Sequence, residues 1–303
     1  MSERVSVFVP ATCANLGCLF DCGAIALNLY VNIHITPRAD KEIQVFHHGV
    51  HAERVCSGPD NLIARTLQET LEGWGITHGF DVEIENHIPV GVGLGSSAAA
   101  IVGALAASHV LAERPLCDEE FVALATEHEG HPDNVAAAWH GGFTVAAQTN
   151  GRVLTQSCPL PELLGMVLVV PDYSLPTEEA RKVLPDYYSR PDAVNNLQRA
   201  AVLTAQLFSG KMDFHRTFFD DRWHQPYRAR LVPGLSEALA LEHPDLLGVC
   251  LSGAGPSILA FTRGNASAVG ELIQKALAEK QVCAQVHVVT ADNRGAKRWI
   301  MPV

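Results

Sequence analysis

An α+β fold in two parts is what this sequence predicts, on three observations. Short β-branched runs of alternating polarity recur along the whole length, and helical patterns separate them. The longest of these helical patterns is rich in alanine. Periodicity then weakens into a polar stretch from about Asn150 to Pro161, before a new apolar run begins. With 303 residues and 48% hydrophobic composition, the chain can fill two cores or one large one. We expect an N-terminal domain at 1–158 and a C-terminal domain at 159–303.

Taken in order, Val5 to Pro10 alternates and is β-branched, as a strand should be, and Tyr30 to Ile35 and Ile43 to Phe46 follow suit. Asp60-Asn61-Leu62 opens a helix of roughly a dozen residues, with Asp60 or Asn61 placed to cap it. Phe80 to Ile84 is a strand that feeds a glycine-rich run. Helices then occupy Ser96 to about Ala112 and Asp118 to about His128, and Gly141 to Ala147 returns as strand. In the second part, strands are expected at Met166 to Val170, Leu247 to Leu251, Ile258 to Phe261 and Val282 to Val289. Helices are expected near Glu178 to Leu184, Ala193 to Phe208, Ser236 to Leu241 and Ala266 to Lys280. This tail reads as a small α+β sandwich.

A net charge of −11 argues against nonspecific nucleic-acid binding through a basic surface. The eight cysteines include no CxxC pair and read as reduced thiols; Cys13, Cys18 and Cys22 crowd together without zinc spacing. Met-Ser-Glu-Arg-Val-Ser-Val is a charged lead into a strand rather than a signal peptide. The longest apolar stretch, around Ala98 to Ala107, is too short to span a bilayer. A cytoplasmic protein with neither a nucleic-acid nor a membrane partner is the expectation.

The most informative run is Pro89-Val90-Gly91-Val92-Gly93-Leu94-Gly95-Ser96-Ser97-Ala98-Ala99. Alternating glycines bring backbone N–H groups close to a ligand, and the helix that follows adds unpaired donors and the positive end of its dipole. Together they suit a triphosphate. The run lacks the lysine of the GxxxxGK[ST] loop and the spacing of GxGxxG. Its bland alternative is a turn that merely opens a buried helix.

Four further runs carry polar chemistry. Pro10-Ala-Thr-Cys-Ala-Asn15-Leu-Gly17, with Asp21 beyond, places an amide and a carboxylate in a connection leaving the first strand. They could bind an ammonium group or a hydroxyl, or simply form turns. Glu127-His-Glu129-Gly-His131-Pro-Asp133-Asn134 reads as a polar helix start, with Pro132 in the first turn and Asp133 at the positive end. Glu129 and a loop hydroxyl could serve a hard cation, whereas His128 and His131 lack zinc spacing. Leu251-Ser-Gly253-Ala-Gly255-Pro-Ser257 is a tight turn between apolar strands, able to support the first glycine loop. Arg181, in Thr177-Glu-Glu-Ala-Arg181, and Arg228, in His224-Gln-Pro-Tyr-Arg228, suit two-pronged carboxylate binding or surface ion pairs.

Together these runs resemble the GHMP kinase superfamily, whose three motifs occur here in order. Pro-Ala-Thr-Cys-Ala-Asn-Leu-Gly, Glu-Gly-His-Pro-Asp-Asn-Val and His-Gln-Pro-Tyr-Arg resemble its homoserine kinase family in particular. The resemblance implies a ribosomal protein S5 domain 2-like N-terminal domain and a ferredoxin-like C-terminal domain. It implies ATP and Mg2+ as cofactors, L-homoserine as substrate, and O-phosphohomoserine, on the way to threonine, as product; a homodimer is compatible with it. Asn15, Asp21, His131, Asn134, Arg181 and Arg228 match positions that hold the substrate, with Thr177 beside them. The arginines would take its carboxylate, Asp21 its ammonium, and Asn134 would orient its hydroxyl. Ser97 and Glu129 match the metal ligands, with Glu127 as fallback, and Asn61 a position near the adenine. Residues 89–99 would wrap the phosphates, with Gly253 and Gly255 in support. Asp133 is the candidate general base, expected mainly to position its neighbours. Two departures predict an altered amino-acid pocket: Cys13 stands where the family has serine, and Leu19 where it has glycine. A mevalonate-, shikimate- or sugar-type kinase, or a ligand sensor on the same fold, are the alternatives.

Overall fold

The computed structural model describes residues 3–115, 117–211 and 214–302. β1 (Glu3–Asn15) and β2 (Leu19–Arg38) form a long antiparallel hairpin. The strand expected to stop at Pro10 runs five residues further. Pairing shifts register between Pro10 and Ala11, and such an irregularity is where a strand tolerates proline. β3 (Ile43–Gly49), α1 (Leu62–Gly73) and β4 (Gly79–Asn86) make a unit in which β3 and β4 are parallel. Then come α2 (Ser96–Leu111), α3 (Asp118–Glu129), α4 (Pro132–His140), and the hairpin of β5 (Phe143–Thr149) and β6 (Arg152–Cys158).

The polar stretch expected to approach a boundary therefore contains β6, a strand of the first sheet. Most of its residues face solvent, so its pattern lacks an apolar face. The second part contains β7 (Gly165–Pro171), α5 (Thr177–Lys182), α6 (Arg190–Phe208), α7 (Gln225–Arg228), α8 (Leu235–Leu239), β8 (Leu246–Leu251) and β9 (Ile258–Thr262). α9 (Ala266–Ala278), β10 (Ala284–Val289) and β11 (Lys297–Pro302) complete it.

Two sheets organise these elements. The first runs β11-β1-β2-β4-β3, with β5 also on β2 and β6 on β5. The second runs β10-β7-β9-β8, all antiparallel, which is the 4-1-3-2 order of a ferredoxin-like unit. β11 crosses back to pair with β1, so the last residues of the chain complete the first sheet rather than the second.

α2 is buried around most of its circumference, as an alanine-rich helix without a polar face must be. It packs on α1 and β1. β7 is apolar at every position because both of its faces are covered. Met166 and Leu168 join the main core, while Val167 and Val169 join a second cluster with Ile273 and Leu277 of α9. The main core is continuous from the first sheet to one face of the second, which holds the two halves in register around the cleft between them. Among the described residues, no helix is long and apolar enough to cross a membrane.

Candidate active site

The glycine run is a clamped loop ahead of α2. Gly91, Gly93 and Gly95 all have positive φ, at 75°, 82° and 64°. A side chain at Gly93 would run into the Ser252 carbonyl, and one at Gly95 into the Thr12 hydroxyl. Ser252 donates to the Gly93 carbonyl at 2.7 Å, Ser257 N–H to the Val92 carbonyl at 3.1 Å, and Thr12 N–H to the Leu94 carbonyl at 3.1 Å. The 252–257 turn thus buttresses the loop from the second half of the molecule. Gly95 caps α2 without a capping side chain, leaving the first-turn N–H groups uncapped beside the cleft. Gly93→Ala should destabilise the fold by roughly 1–3 kcal/mol, since it adds left-handed strain to a backbone collision. Urea denaturation reads that loss.

The turn between α3 and α4 faces the loop. Gly130 ends α3 at φ 92°, His131 is the N-cap of α4, and Pro132 occupies its first turn as expected. Ser97 donates to Glu129 Oε1 at 2.7 Å, whereas Glu127 is exposed. Burial raises the Glu129 carboxyl above the usual range, and the Ser97 bond only partly opposes it. Burial alone would lower the His131 imidazole. The Asp133 carboxylate, 3.1 Å from its Nδ1, and the Glu129 charge outweigh that and raise it. Asp133 is buried and accepts from the Asn134 N–H at 2.8 Å. Asn134 in turn accepts from the Thr12 hydroxyl at 2.6 Å.

The β1–β2 turn supplies the third wall. Asn15 and Asp21 take positive φ, and the Asn15 side chain accepts from the Asp21 N–H while donating to the Gly253 carbonyl, both at 2.9 Å. Leu19, whose bulk predicted a disturbed pocket, has an ordinary strand conformation; left-handed backbone falls instead on Asn15, Leu16, Gly17 and Asp21. Its side chain is buried over Gly23. Cys13 is also fully buried, away from solvent. Among the described residues, no group of three His, Cys, Asp or Glu could hold a metal by itself.

Arg181 and Asp21 form a two-pronged pair, with bonds of 2.7 and 2.9 Å. Arg228 differs. It is 1% exposed and donates to the carbonyls of Ala180 (3.2 Å) and Gly253 (2.9 Å) and towards His224 Nδ1 (3.2 Å), with no carboxylate bonded to it among the described residues. Burial, and then the Arg181 charge, push its pKa down to about 10, so it stays cationic at neutral pH. A buried guanidinium with no carboxylate hydrogen-bonded to it, whose charge Asp21 and Asp221 meet only at longer range, is suited to an anionic ligand group.

These walls enclose a cavity of about 260 Å3, and most of the expected residues line it. Of the residues expected to hold the substrate, Asn15, Asp21, His131, Asn134, Thr177, Arg181 and Arg228 line it. Of those expected around the phosphates and the metal, Val90, Gly91, Gly93, Leu94, Gly95, Ser96, Ser97, Glu129 and Gly253 line it. Pro89, Val92, Ala98, Ala99, Asp133 and Gly255 do not line it; of these, Val92, Ala98, Ala99 and Asp133 are buried behind the wall. A second cavity of about 310 Å3 shares Val90, Ser96 and Ser97 with the first, and includes Val31, Leu62 and Ile84. Asn61 lies there, but its side chain is committed to capping α1 through the Ile63 N–H and to the Cys56 carbonyl. A larger hollow of about 760 Å3, behind α7, contains none of the expected site residues.

Residues 61–142 match the GHMP kinases N terminal domain, and residues 205–279 match the GHMP kinases C terminal domain. A homoserine kinase of Solibacter usitatus is 41% identical over 269 residues, 88% of each chain. One of Moorella thermoacetica is 39% identical over 96% of this chain and 98% of its own. The chain belongs to the homoserine kinases of the GHMP family. The crystal structure of homoserine kinase from Cytophaga hutchinsonii superposes on this GHMP kinase with a TM-score of 0.86 at 27% identity, covering 99% of this chain and 98% of that one. A mevalonate kinase structure, 15% identical over 95% of this chain and 99% of its own, aligns at 0.65 and shows the shared fold alone.

Sequence reasoning about this GHMP kinase missed Phe20 and His224. Phe20 lies under both guanidiniums, 5.6 Å from Arg181 and 5.4 Å from Arg228. His224 is fully buried, stacked on Phe20 with ring centroids 5.3 Å apart. Its place in the His-Gln-Pro-Tyr-Arg run, one helical turn before Arg228, was the available signal. Burial pushes the His224 imidazole down to about 4, with the Asp221 charge opposing. An unfolded histidine titrates near 6.5, so the unfolded chain binds this proton first and stability falls as pH drops from about 6.5 towards 4. Between about pH 7.5 and about pH 5 this one group should remove about 2 kcal/mol. Urea titrations of wild type and His224→Gln at both pH values check it; the variant should lose that part of the slope.

Proposed function

We propose that this cavity binds L-homoserine and that the adjoining apolar cavity binds the base of ATP, with the phosphates laid across the N-terminus of α2. The observation that carries the reading is Arg228, a buried cation with no carboxylate bonded to it among the described residues, sharing one cavity with the Asp21–Arg181 pair. An amino acid answers both features: its carboxylate completes Arg228, and its ammonium competes for Asp21. Asn134, fixed by Thr12 and Asp133, then orients the hydroxyl between the amino-acid side and the phosphate loop.

The chain's contribution to phosphoryl transfer is placement and charge. The uncapped N–H groups of α2 and of the glycine loop stabilise charge on the transferring group, and the pocket holds the hydroxyl in line with it. Asp133 stays behind the wall and holds His131 and Asn134. Ser97 and Glu129 form an oxygen-only pair on the phosphate side, which fits Mg2+. The burial of the Glu129 carboxylate, only partly relieved by Ser97, His131 and Arg181, agrees with that fit. When bound, the ion would neutralise phosphate charge. The product would be O-phospho-L-homoserine, for threonine synthesis, made by a cytoplasmic enzyme.

A coupled ADP-release assay with MgATP tests the reading against L-homoserine, L-threonine, mevalonate, shikimate and galactose. Saturable turnover on homoserine alone is expected. Turnover on another acceptor would overturn the pocket assignment but keep the phosphate loop. Silence across the panel with ATP bound would leave a ligand sensor.

A further inference from the structure

The His-Gln-Pro-Tyr-Arg run contributes more than its arginine. Asp221 is buried and saturated: it accepts from Asn196 Nδ2 (2.7 Å) and from the N–H groups of Trp223 (2.8 Å), His224 (2.9 Å) and Gln225 (2.7 Å). It therefore fixes the entry into α7. From there the His224 ring reaches the N-terminal half, with Nε2 2.8 Å from the Gly17 carbonyl. A carbonyl only accepts, so Nε2 carries the proton and Nδ1 is left with its lone pair. That lone pair faces Arg228 Nη1 at 3.2 Å, and a guanidinium only donates. Both neighbours thus select one neutral tautomer. Phe20, in the β1–β2 hairpin, stacks on the ring and lies under the guanidinium.

We propose that His224 is a positioning residue for Arg228, a neutral imidazole strap from the Gly17 carbonyl to the guanidinium that aims it at the carboxylate of the acceptor substrate. This rests on the reading of Arg228 as the carboxylate ligand. The low pKa of His224 keeps the strap neutral at the pH of assay.

Steady-state kinetics with saturating MgATP on the full chain test it, using L-homoserine and 3-aminopropan-1-ol, which keeps the amine and hydroxyl but lacks the carboxylate. His224→Gln keeps a donor for Gly17 but loses the acceptor for Arg228. It should raise KM for homoserine roughly 10- to 100-fold, with kcat and the KM for ATP within about threefold. Its kcat/KM for the aminopropanol should not move. His224→Asn, whose amide oxygen sits near the Nδ1 position, should recover most of the loss. Equal losses on both substrates, or a fall in kcat alone, would overturn the proposal. Arg228→Met separates the two ideas: if it leaves KM for homoserine unchanged, the reading of Arg228 is wrong whatever His224 does. If Arg228→Met loses homoserine while His224→Gln does not, the strap alone is wrong. Should His224→Gln fail to fold, 15N NMR of the wild type still decides. The strap requires His224 as the Nε2–H tautomer at pH 7, and an Nδ1–H tautomer or an imidazolium would refute it.

Discussion

Arg228→Met will raise KM for L-homoserine by two to three orders of magnitude while leaving the protein folded. The two halves of that expectation come from one observation, a guanidinium that is 1% exposed and has no bonded carboxylate. Removing one partner of a desolvated charge pair in a complex typically costs about 3–5 kcal/mol, which is a factor of about 150 to several thousand in affinity. In the free protein the same charge is a burden, because its desolvation is repaid only in part by two carbonyls, an imidazole and the unbonded charges of Asp21 and Asp221. Methionine fills similar space without that cost, but it leaves those three acceptors without their donor. The opposed terms should leave unfolding free energy within about 2 kcal/mol of wild type. Steady-state kinetics and urea denaturation on one preparation check both halves. A large loss of stability with little change in KM would mean that Arg228 serves the fold rather than the substrate.

Arg181→Met should behave differently, because Arg181 is already paired. Losing it leaves Asp21 without its two-pronged partner but still able to meet the ammonium, so the homoserine KM should rise less than for Arg228→Met. The sequence presented these two arginines as equivalents, each in a polar run near a helix. Only burial and partner choice tell them apart, and both depend on contacts across 160 residues for Asp21–Arg181 and 48 for Ala180–Arg228. The same limit explains the rest. Local signals placed α1, the start of α2 and the Pro132 turn correctly, and of the two expected caps Asp60 and Asn61 it is Asn61 that caps α1, because caps and glycines act within a few residues. β6 was hidden because it is largely exposed, and β11 because a terminal strand is defined by the partner it finds, here β1. Leu19 predicted an altered pocket because a bulky residue stands where the family has glycine, yet its own backbone is ordinary strand and the left-handed positions are Asn15, Leu16, Gly17 and Asp21.

Glu129→Gln is expected to lower kcat by about three orders of magnitude, with KM for ATP changed by less than about tenfold. The amide can still accept from the Ser97 hydroxyl at the 2.7 Å contact, so the wall between α2 and α3 should persist. What goes is the charge. In the free protein burial raises this carboxyl, so ionisation is unfavourable there and opposes folding as pH rises through its titration; the variant should accordingly be no less stable than wild type at neutral pH. A divalent cation reverses the sign. It favours the carboxylate, so binding should release a proton wherever the free carboxyl is partly protonated, and Mg2+ affinity should climb with pH across that range. Calorimetry with MgATP in two buffers of different ionisation enthalpy measures that proton directly. Glu129→Gln should abolish the release along with the turnover. Loss of turnover with proton release intact would place the metal on other oxygens and leave Glu129 only the task of holding Ser97.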